Sequence, residues 1–506
     1  MITVLALPAA AAETVTDFHF HRDNVLGTSL DLTVRVPDRA QADAVEKTVL
    51  DEAERLRKIL STYDAASEIC RAAAADAPVN ASPDLLQVLD ACEYWRTWSG
   101  GAFNAQLGDL VALWSDAAKA NRLPDAAALN ALCQRMGRPT YRIDKPAATF
   151  TRLDGLRLNV DALAKGYIIE KAYAAARKAD PAMTGLMLDI GGDIRVWGSA
   201  GPAPDTPWII GIADPKHSQE NAPLLARLRL AQGAVASSGH YERYHTIGGK
   251  RYSHILDPRT GWPVDRVLGA TAVAPDAATA DALATLLCVL PPQESLDRVA
   301  SLRGVECLIL GADGRRYASA GWKALEVAEA SGGGVPTRQG GGQEPYVVRA
   351  PDPFAAPADA WPAGGELTIA LTLAKRGPRP YVAIWIESAA GRPVRTLTVW
   401  GNEAKYVKKL TNWWRLMGSQ KTVVNAVTRA SRTAGAYRLA WDGKDDQGRP
   451  VPPGEYTVRV ESTQEDGPHL ELRGAIACGG QPAQVQVPGN KSVTDLSLTY
   501  GSGNGK

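Results

Sequence analysis

The sequence predicts an α+β domain followed by an all-β sandwich of the immunoglobulin-like kind. Three observations predict it. Apolar residues recur at helical spacing between strand-like runs as far as residue 328. A stretch rich in Pro and Gly, without an apolar period, fills 329–365. From residue 366 short alternating runs separated by turn residues take over.

The first domain is expected over 13–328. Val45, Val49, Ala53, Leu56 and Leu60 place a helix over Ala40 to Leu60. Leu86, Leu89 and Trp95 share one side of a helix from Pro83 to Trp98, and Ala-rich Ala162 to Lys178 is a third. Ala277 to Leu290 is a fourth. Leu30 to Val36, Leu186 to Val196, Trp208 to Ile212 and Ala270 to Val273 read as strands. In the linker, Gly332-Gly333-Gly334 and Gly340-Gly341-Gly342 stand among six prolines. In the second domain, 366–506, the strands are Glu366 to Leu373, Tyr381 to Ser388, Arg395 to Trp400, Ala436 to Trp441 and Glu455 to Glu461. Asp442-Gly443, Gln447-Gly448 and Pro452-Pro453-Gly454 supply turns, and a short helical stretch surrounds Asn412 to Met417.

A chain of 506 residues is too long for one core. Its net charge of +1 gives no broad attraction to nucleic acid or to an acidic membrane, so an anionic ligand needs a local site. Residues 1–12 are apolar and end in Ala10-Ala11-Ala12, as the remnant of a secretory signal does, and are too short to span a bilayer. Export to the periplasm is the expectation. The six cysteines form no CxxC pair, which disfavours zinc and thioredoxin-type chemistry; paired cysteines and buried thiols both remain open.

Four segments carry chemistry. Asp161 to Tyr167 sets Lys165 and Gly166 at a helix start, where free N–H groups and a cation suit a phosphate. Gly191-Gly192, between strand-like runs, allow close approach of a ligand or mark a bulge. Ala234 to Pro263 packs Ser237, Ser238, His240, Glu242 and Arg243 ahead of His254 and the Asp257-Pro258-Arg259-Thr260-Gly261 turn; His254 is expected at the end of an apolar strand. Asp281 and Thr285 lie on one helix face as a pair of hard oxygens suited to Mg²⁺. The alternative is that Asp276 or Thr279 caps the helix and Asp281 is merely exposed.

Together these segments resemble the ApbE family of FAD:protein FMN transferases. The resemblance rests on ordered blocks from about Asp17 to Val327. They are Leu26-Gly27-Thr28, Ser61 to Asp64 with Ser67-Glu68-Ile69, Gly101-Ala102-Phe103 with Leu113-Trp114, and Asp161 to Gly166. Gly191-Gly192-Asp193, Ser237 to Tyr244, His254 to Gly261, and Asp281 to Thr285 follow. The chain departs from the family where Leu26 replaces the usual Met and Asn104-Ala105-Gln106 the usual Asp-Pro-Thr. The C-terminal part, through Ala436 to Gly448 and Pro453-Gly454-Glu455-Tyr456, is similar to the DUF2271 type of domain.

The resemblance implies roles. FAD, the substrate, would lie with a ring against Tyr63. Ser67, Glu68, Gly191, Gly192 and Ser238 would help hold it, Lys165 would approach its pyrophosphate, and His254 would contact its flavin end. Mg²⁺ would be held by Asp281, Thr285 and the Ala162 carbonyl. A Thr or Ser hydroxyl of an exported acceptor protein would attack the FMN phosphate and AMP would leave, with His254 and Asp281 as candidates for the base. Water in place of the acceptor gives an FAD pyrophosphatase. A decayed site gives a flavin-binding scaffold.

Overall fold

The computed structural model describes residues 15–216, 224–239, 244–327, 361–362, 365–374, 380–401, 409–417, 428–429, 434–446, 449–464 and 469–502. The signal-like segment, nearly all of the linker, and His240 to Arg243 lie outside the described residues. Two compact units divide the chain, the first formed by 1–216 with 225–327.

In chain order the first unit contains β1 (Thr16–Val25), β2 (Thr28–Val36), α1 (Arg39–Leu60), α2 (Glu68–Ala74), β3 (Val79–Asn80) and α3 (Pro83–Trp98). Next come α4 (Gly108–Lys119), α5 (Ala126–Met136), β4 (Tyr141–Asp144), β5 (Thr149–Arg152) and α6 (Asp161–Ala179). β6 (Gly185–Ile190), β7 (Asp193–Gly198), β8 (Trp208–Ala213), β9 (Leu224–Leu230), β10 (Gly233–Gly239), β11 (Tyr244–Ile247) and β12 (Lys250–Ser253) follow. The unit closes with β13 (Val267–Ala274), α7 (Ala277–Val289), α8 (Pro292–Val299), β14 (Glu306–Gly311), β15 (Arg316–Ala318) and α9 (Trp322–Leu325).

Its frame is an antiparallel sheet in the order β1-β2-β6-β7-β10-β13-β14-β15. One face turns Leu30, Leu32, Leu186, Leu188 and Ile190 into a core shared with α1, α3, α6 and α7. Val196, Val235, Val273 and Leu308 face the other way, against Trp208, Ile210 and Trp322. Alternation along each strand serves both layers.

The Leu186 to Val196 run is two strands rather than one bulged strand. Gly191 and Gly192 have φ of +60° and +88° and form the two-residue turn of the β6–β7 hairpin. Positive φ at both central positions is what such a turn requires. The turn carries Ile190 opposite Asp193, so Asp193 starts β7 on the helix-covered face. Gly166 has a different reason. A Cβ there would stand 2.2 Å from the Ala277 carbonyl and 2.7 Å from Asp281 Cβ, so α6 and α7 meet closely only without a side chain.

The second unit contains β16 (Gly365–Leu373), β17 (Tyr381–Ser388), β18 (Pro393–Trp400), α10 (Thr411–Met417), β19 (Thr428–Arg429), β20 (Gly435–Trp441), β21 (Gly454–Thr463), β22 (Leu470–Cys478), β23 (Ala483–Pro488) and β24 (Val493–Ser502). Two sheets, β20-β16-β24-β23 and β19-β18-β17-β21-β22, share a core of Leu367, Ile384, Trp400, Val458 and Leu498. On the outer face of the second sheet Trp413 of α10 packs with Trp385 and Val399. All six cysteines are free thiols.

Candidate active site

The site begins where the second turn of α6 meets the start of α7. Lys165 Nζ lies 2.9 Å from Asp193 Oδ2, whose side chain is almost wholly buried. Asp193 is 2% exposed and Asp281 5%. The two carboxyls are within hydrogen-bonding reach of each other, and the Ser237 amide also donates to Asp193. Two buried carboxyls therefore face one ammonium.

Their titration reflects that imbalance. Burial, then the Asp193 carboxylate, push the Asp281 carboxyl up to about 8 against the pull of Lys165 and the Gly166 amide. Burial likewise raises Asp193, with Lys165 opposing. Asp189, across from Asp31 in the β2–β6 pairing, is pushed up to about 7 by burial although the Gly192 amide donates to it at 2.8 Å. Burial works against the charge of Lys165, but Asp193 and Asp281 outweigh it and hold the ammonium above its ordinary range.

The surroundings of Asp281 are rich in oxygen. The Gly166 amide, which in a regular helix serves the Ala162 carbonyl, lies 2.8 Å from Asp281 Oδ2. One turn along α7, Thr285 Oγ1 is 3.2 Å from Ser238 Oγ. Asp276 does cap α7, accepting from the Thr279 amide at 2.8 Å, yet the reading of Asp281 as merely exposed is overturned by its burial. Among the described residues no cluster of three or more His, Cys, Asp or Glu side chains gathers for a metal. A cation here would take one carboxylate, one hydroxyl and a carbonyl.

Tyr63 and His254 come from separate elements. The Tyr63 ring is 81% exposed in the turn between α1 and α2, and its hydroxyl donates to Asp161 at the start of α6. His254 stands exposed directly after β12. That strand, Lys-Arg-Tyr-Ser, is polar and belongs to a separate hairpin with β11, not to an apolar strand of the core. The loop after it is held firmly. Ile255 and Leu256 are buried, and Trp114 Nε1 donates to the Gly261 carbonyl at 2.8 Å.

Other expected residues have structural partners. Ser67 is 1% exposed, and its hydroxyl caps α2 by accepting the Cys70 amide at 3.2 Å. Glu68 Oε1 accepts the Ser82 amide at 2.6 Å. Both fix the turn that presents Tyr63. Gly191 and Gly192 are exposed in their turn, and Ser238 touches Thr285. The sequence reading did not single out Asp193 or Asp161 as site residues. Their signals were an acid directly after a Gly-Gly turn and an acid in the first turn of the Lys165 helix.

Lys165 stands one turn into α6 and the Gly166 amide is taken by Asp281, so the expected free N–H groups beside the lysine are not there; what the structure gathers is a cluster of perturbed titratable groups of the kind found at functional sites. The sequence model of the ApbE family matches residues 26–309, more than half of the chain, and the chain belongs to that family. An FAD:protein FMN transferase of Treponema pallidum is 30% identical over 297 residues, 56% of this chain and 81% of that protein. One of Klebsiella pneumoniae is 29% identical over 270 residues, 52% of this chain and 79% of that protein. The crystal structure of the ApbE protein of Thermotoga maritima aligns with 26% identity and a TM-score of 0.56, covering 62% of this chain and all of that one. The flavin transferase ApbE of Vibrio cholerae, at 23% identity and a TM-score of 0.53, has the same fold. A second model, described as predicted periplasmic protein (DUF2271), matches residues 366–495. No helix among the described residues is long and apolar enough to cross a membrane.

Proposed function

We propose that the enzyme transfers FMN from FAD to a Thr or Ser hydroxyl of an exported acceptor protein and releases AMP. The observation that carries this reading is the cluster of Lys165, Asp193 and Asp281 at the start of α6, with Thr285 and Ser238 beside it. The names of its relatives support the reaction.

The residues present fit Mg²⁺. Among the described residues two buried carboxyls face one ammonium, and a cation bound beside them would favour the ionised form of Asp281 that burial opposes. Asp281, Thr285 and the Ala162 carbonyl are hard oxygen donors, and substrate phosphates and water would complete six. Bound there, Mg²⁺ would neutralise the substrate phosphates and the charge growing on the departing AMP. Lys165, anchored by Asp193, faces the pyrophosphate. Gly191, Gly192 and Ser238 border the substrate, Ser67 and Glu68 hold its Tyr63 wall, and Tyr63 stacks on a ring.

In the transfer the acceptor oxygen bonds to the FMN phosphorus while the bond from that phosphorus to the AMP oxygen breaks. The hydroxyl proton goes to a base. Asp281 is buried and committed to the carboxyl cluster, so the exposed His254 imidazole takes that role. The domains run 13–328 for the transferase, 329–365 for the linker and 366–506 for an immunoglobulin-like sandwich, behind a signal remnant at 1–12. The periplasm is the proposed location, in keeping with the description of the second matching family.

The test is incubation with FAD, Mg²⁺ and candidate exported acceptors, followed by a denaturing gel read for flavin fluorescence. A fluorescent acceptor band that disappears with EDTA is expected. Release of free FMN and AMP with no labelled protein would instead identify a pyrophosphatase, and no AMP under any condition a scaffold.

A further inference from the structure

Asp161 opens α6, and its carboxylate gathers three donors. Tyr63 Oη donates to Oδ2, Thr62 Oγ1 to Oδ1 at 3.3 Å, and Asn159 Nδ2 to Oδ2 at 3.3 Å. Asn159 Oδ1 in turn accepts the Asp161 amide at 3.2 Å. The carboxylate is thus oriented from its own side before it meets the turn carrying Thr62 and Tyr63.

An exposed tyrosine ring ordinarily keeps its rotamer freedom, because little packing opposes the entropy of motion. Tyr63 is largely exposed yet tied at its hydroxyl to a group 98 residues away. An acid in the first turn already favours α6 through the helix dipole. Helix stability alone gives no reason for this acid to hold an outlying aromatic ring. The rest of the turn is equally fixed: Ser67 caps α2, and Asp64 accepts from Arg57 Nη1 at 3.1 Å. A flat aromatic surface is being held in place beside the phosphate-binding helix start.

We propose that Asp161 is a positioning residue that fixes the Tyr63 ring as a preformed stacking platform for the isoalloxazine ring of the substrate. The proposal rests on the transfer reading, which places FAD at the start of α6. Preorganisation of this kind strengthens binding by removing an ordering cost. It acts on the bound substrate before and during transfer alike, so it lowers KM more than it raises kcat.

The experiment is equilibrium FAD binding with EDTA present, read by quenching of flavin fluorescence on the aromatic ring. Wild type, Asp161→Ala, Asp161→Asn, Tyr63→Phe and the Asp161→Ala/Tyr63→Phe double variant are compared. Asp161→Ala and Tyr63→Phe are each expected to weaken binding about tenfold, the scale of one hydrogen bond to a charged group. The double variant is expected to be no weaker than either single one, since both break the same link. Asp161→Asn keeps an acceptor oxygen and recovers part of the loss. In transfer assays Asp161→Ala raises KM for FAD and leaves kcat within about twofold. Should Asp161→Ala fold poorly, Tyr63→Phe removes only an exposed hydroxyl and tests the same link. Wild-type quenching and affinity in Asp161→Ala, or additive losses in the double variant, would overturn the proposal alone. A wild-type protein that binds no FAD would overturn the transfer reading and the proposal with it.

Discussion

The two units bury charge in opposite ways. In the second, Arg459 bridges Glu387 at 2.7 Å and Glu471, and the solvent-exposed Arg473 reaches Glu471 at 3.0 Å, so each of these carboxylates meets a guanidinium. Glu461, fully buried, accepts the Asn412 and Trp413 amides at 2.9 and 2.8 Å and pairs with His469. In the first unit, Asp193 and Asp281 share one cation among the described residues, Lys165. Balanced buried charge fixes an architecture. Unbalanced buried charge is costly unless something else arrives to neutralise it. The contrast separates a structural network from the carboxyl cluster we propose as the substrate and Mg²⁺ site.

That contrast can be broken from either side. The largest effect is expected for Asp281→Ala, which removes the carboxyl proposed to hold Mg²⁺. AMP release should fall about a thousandfold, as happens when a main electrostatic element of a transition state is lost. Arg459→Ala should do the reverse: about 3–5 kcal/mol of stability lost by denaturant unfolding, because Glu387 is left buried and unpaired, with kcat of the folded fraction unchanged. Asp193→Asn sharpens the point. It removes the carboxylate that anchors Lys165, and turnover should fall about tenfold.

A smaller effect follows from pH. The Asp281 carboxyl is pushed up to about 8 and that of Asp189 to about 7 by burial, against about 4 in an unfolded chain. Between those values the folded state holds more protons than the unfolded one. Stability of the metal-free protein therefore falls as pH rises from about 4 to about 8. Thermal midpoints across that window should decline in EDTA and decline less with Mg²⁺ and FAD present. The smallest effect is at Ser67→Ala, a lost helix cap worth about 1 kcal/mol.

Much of the first unit was legible because its helices are long and periodic. The Pro83–Trp98 helix has its predicted bounds, and the expected helices at α1, α6 and α7 differ by a residue or two at their ends. Strand β1 was missed because His19, His21, Arg22 and Asp23 break its alternation. The Gly191-Gly192 hairpin was read as one run, since a two-residue turn interrupts an apolar pattern only briefly. In the second unit β22 to β24 went unread. Their polar faces, as in Leu470–Cys478, look like loop until the opposing sheet supplies the core.

The site was legible where chemistry is local. Lys165 beside a helix start, and Asp281 four residues before Thr285, are visible in the chain itself. The partners of Lys165 and Tyr63 were not, because Asp193 and Asp161 become meaningful only when β7 is set against α6 and the Tyr63 turn against Asp161. Ser67 and Glu68 have a structural role that the chain does not display, since their oxygens hold the Cys70 and Ser82 amides.

The central claim is that the carboxyl excess at Asp281 and Asp193 is a place for Mg²⁺. Calorimetric titration of Mg²⁺ into the FAD-loaded protein at pH 7, in buffers of different ionisation enthalpy, tests it most directly. Saturable binding to wild type and its loss in Asp281→Ala are expected, with proton uptake or release following from the raised Asp281 carboxyl. Binding of equal strength in Asp281→Ala, or no binding to wild type, would refute it.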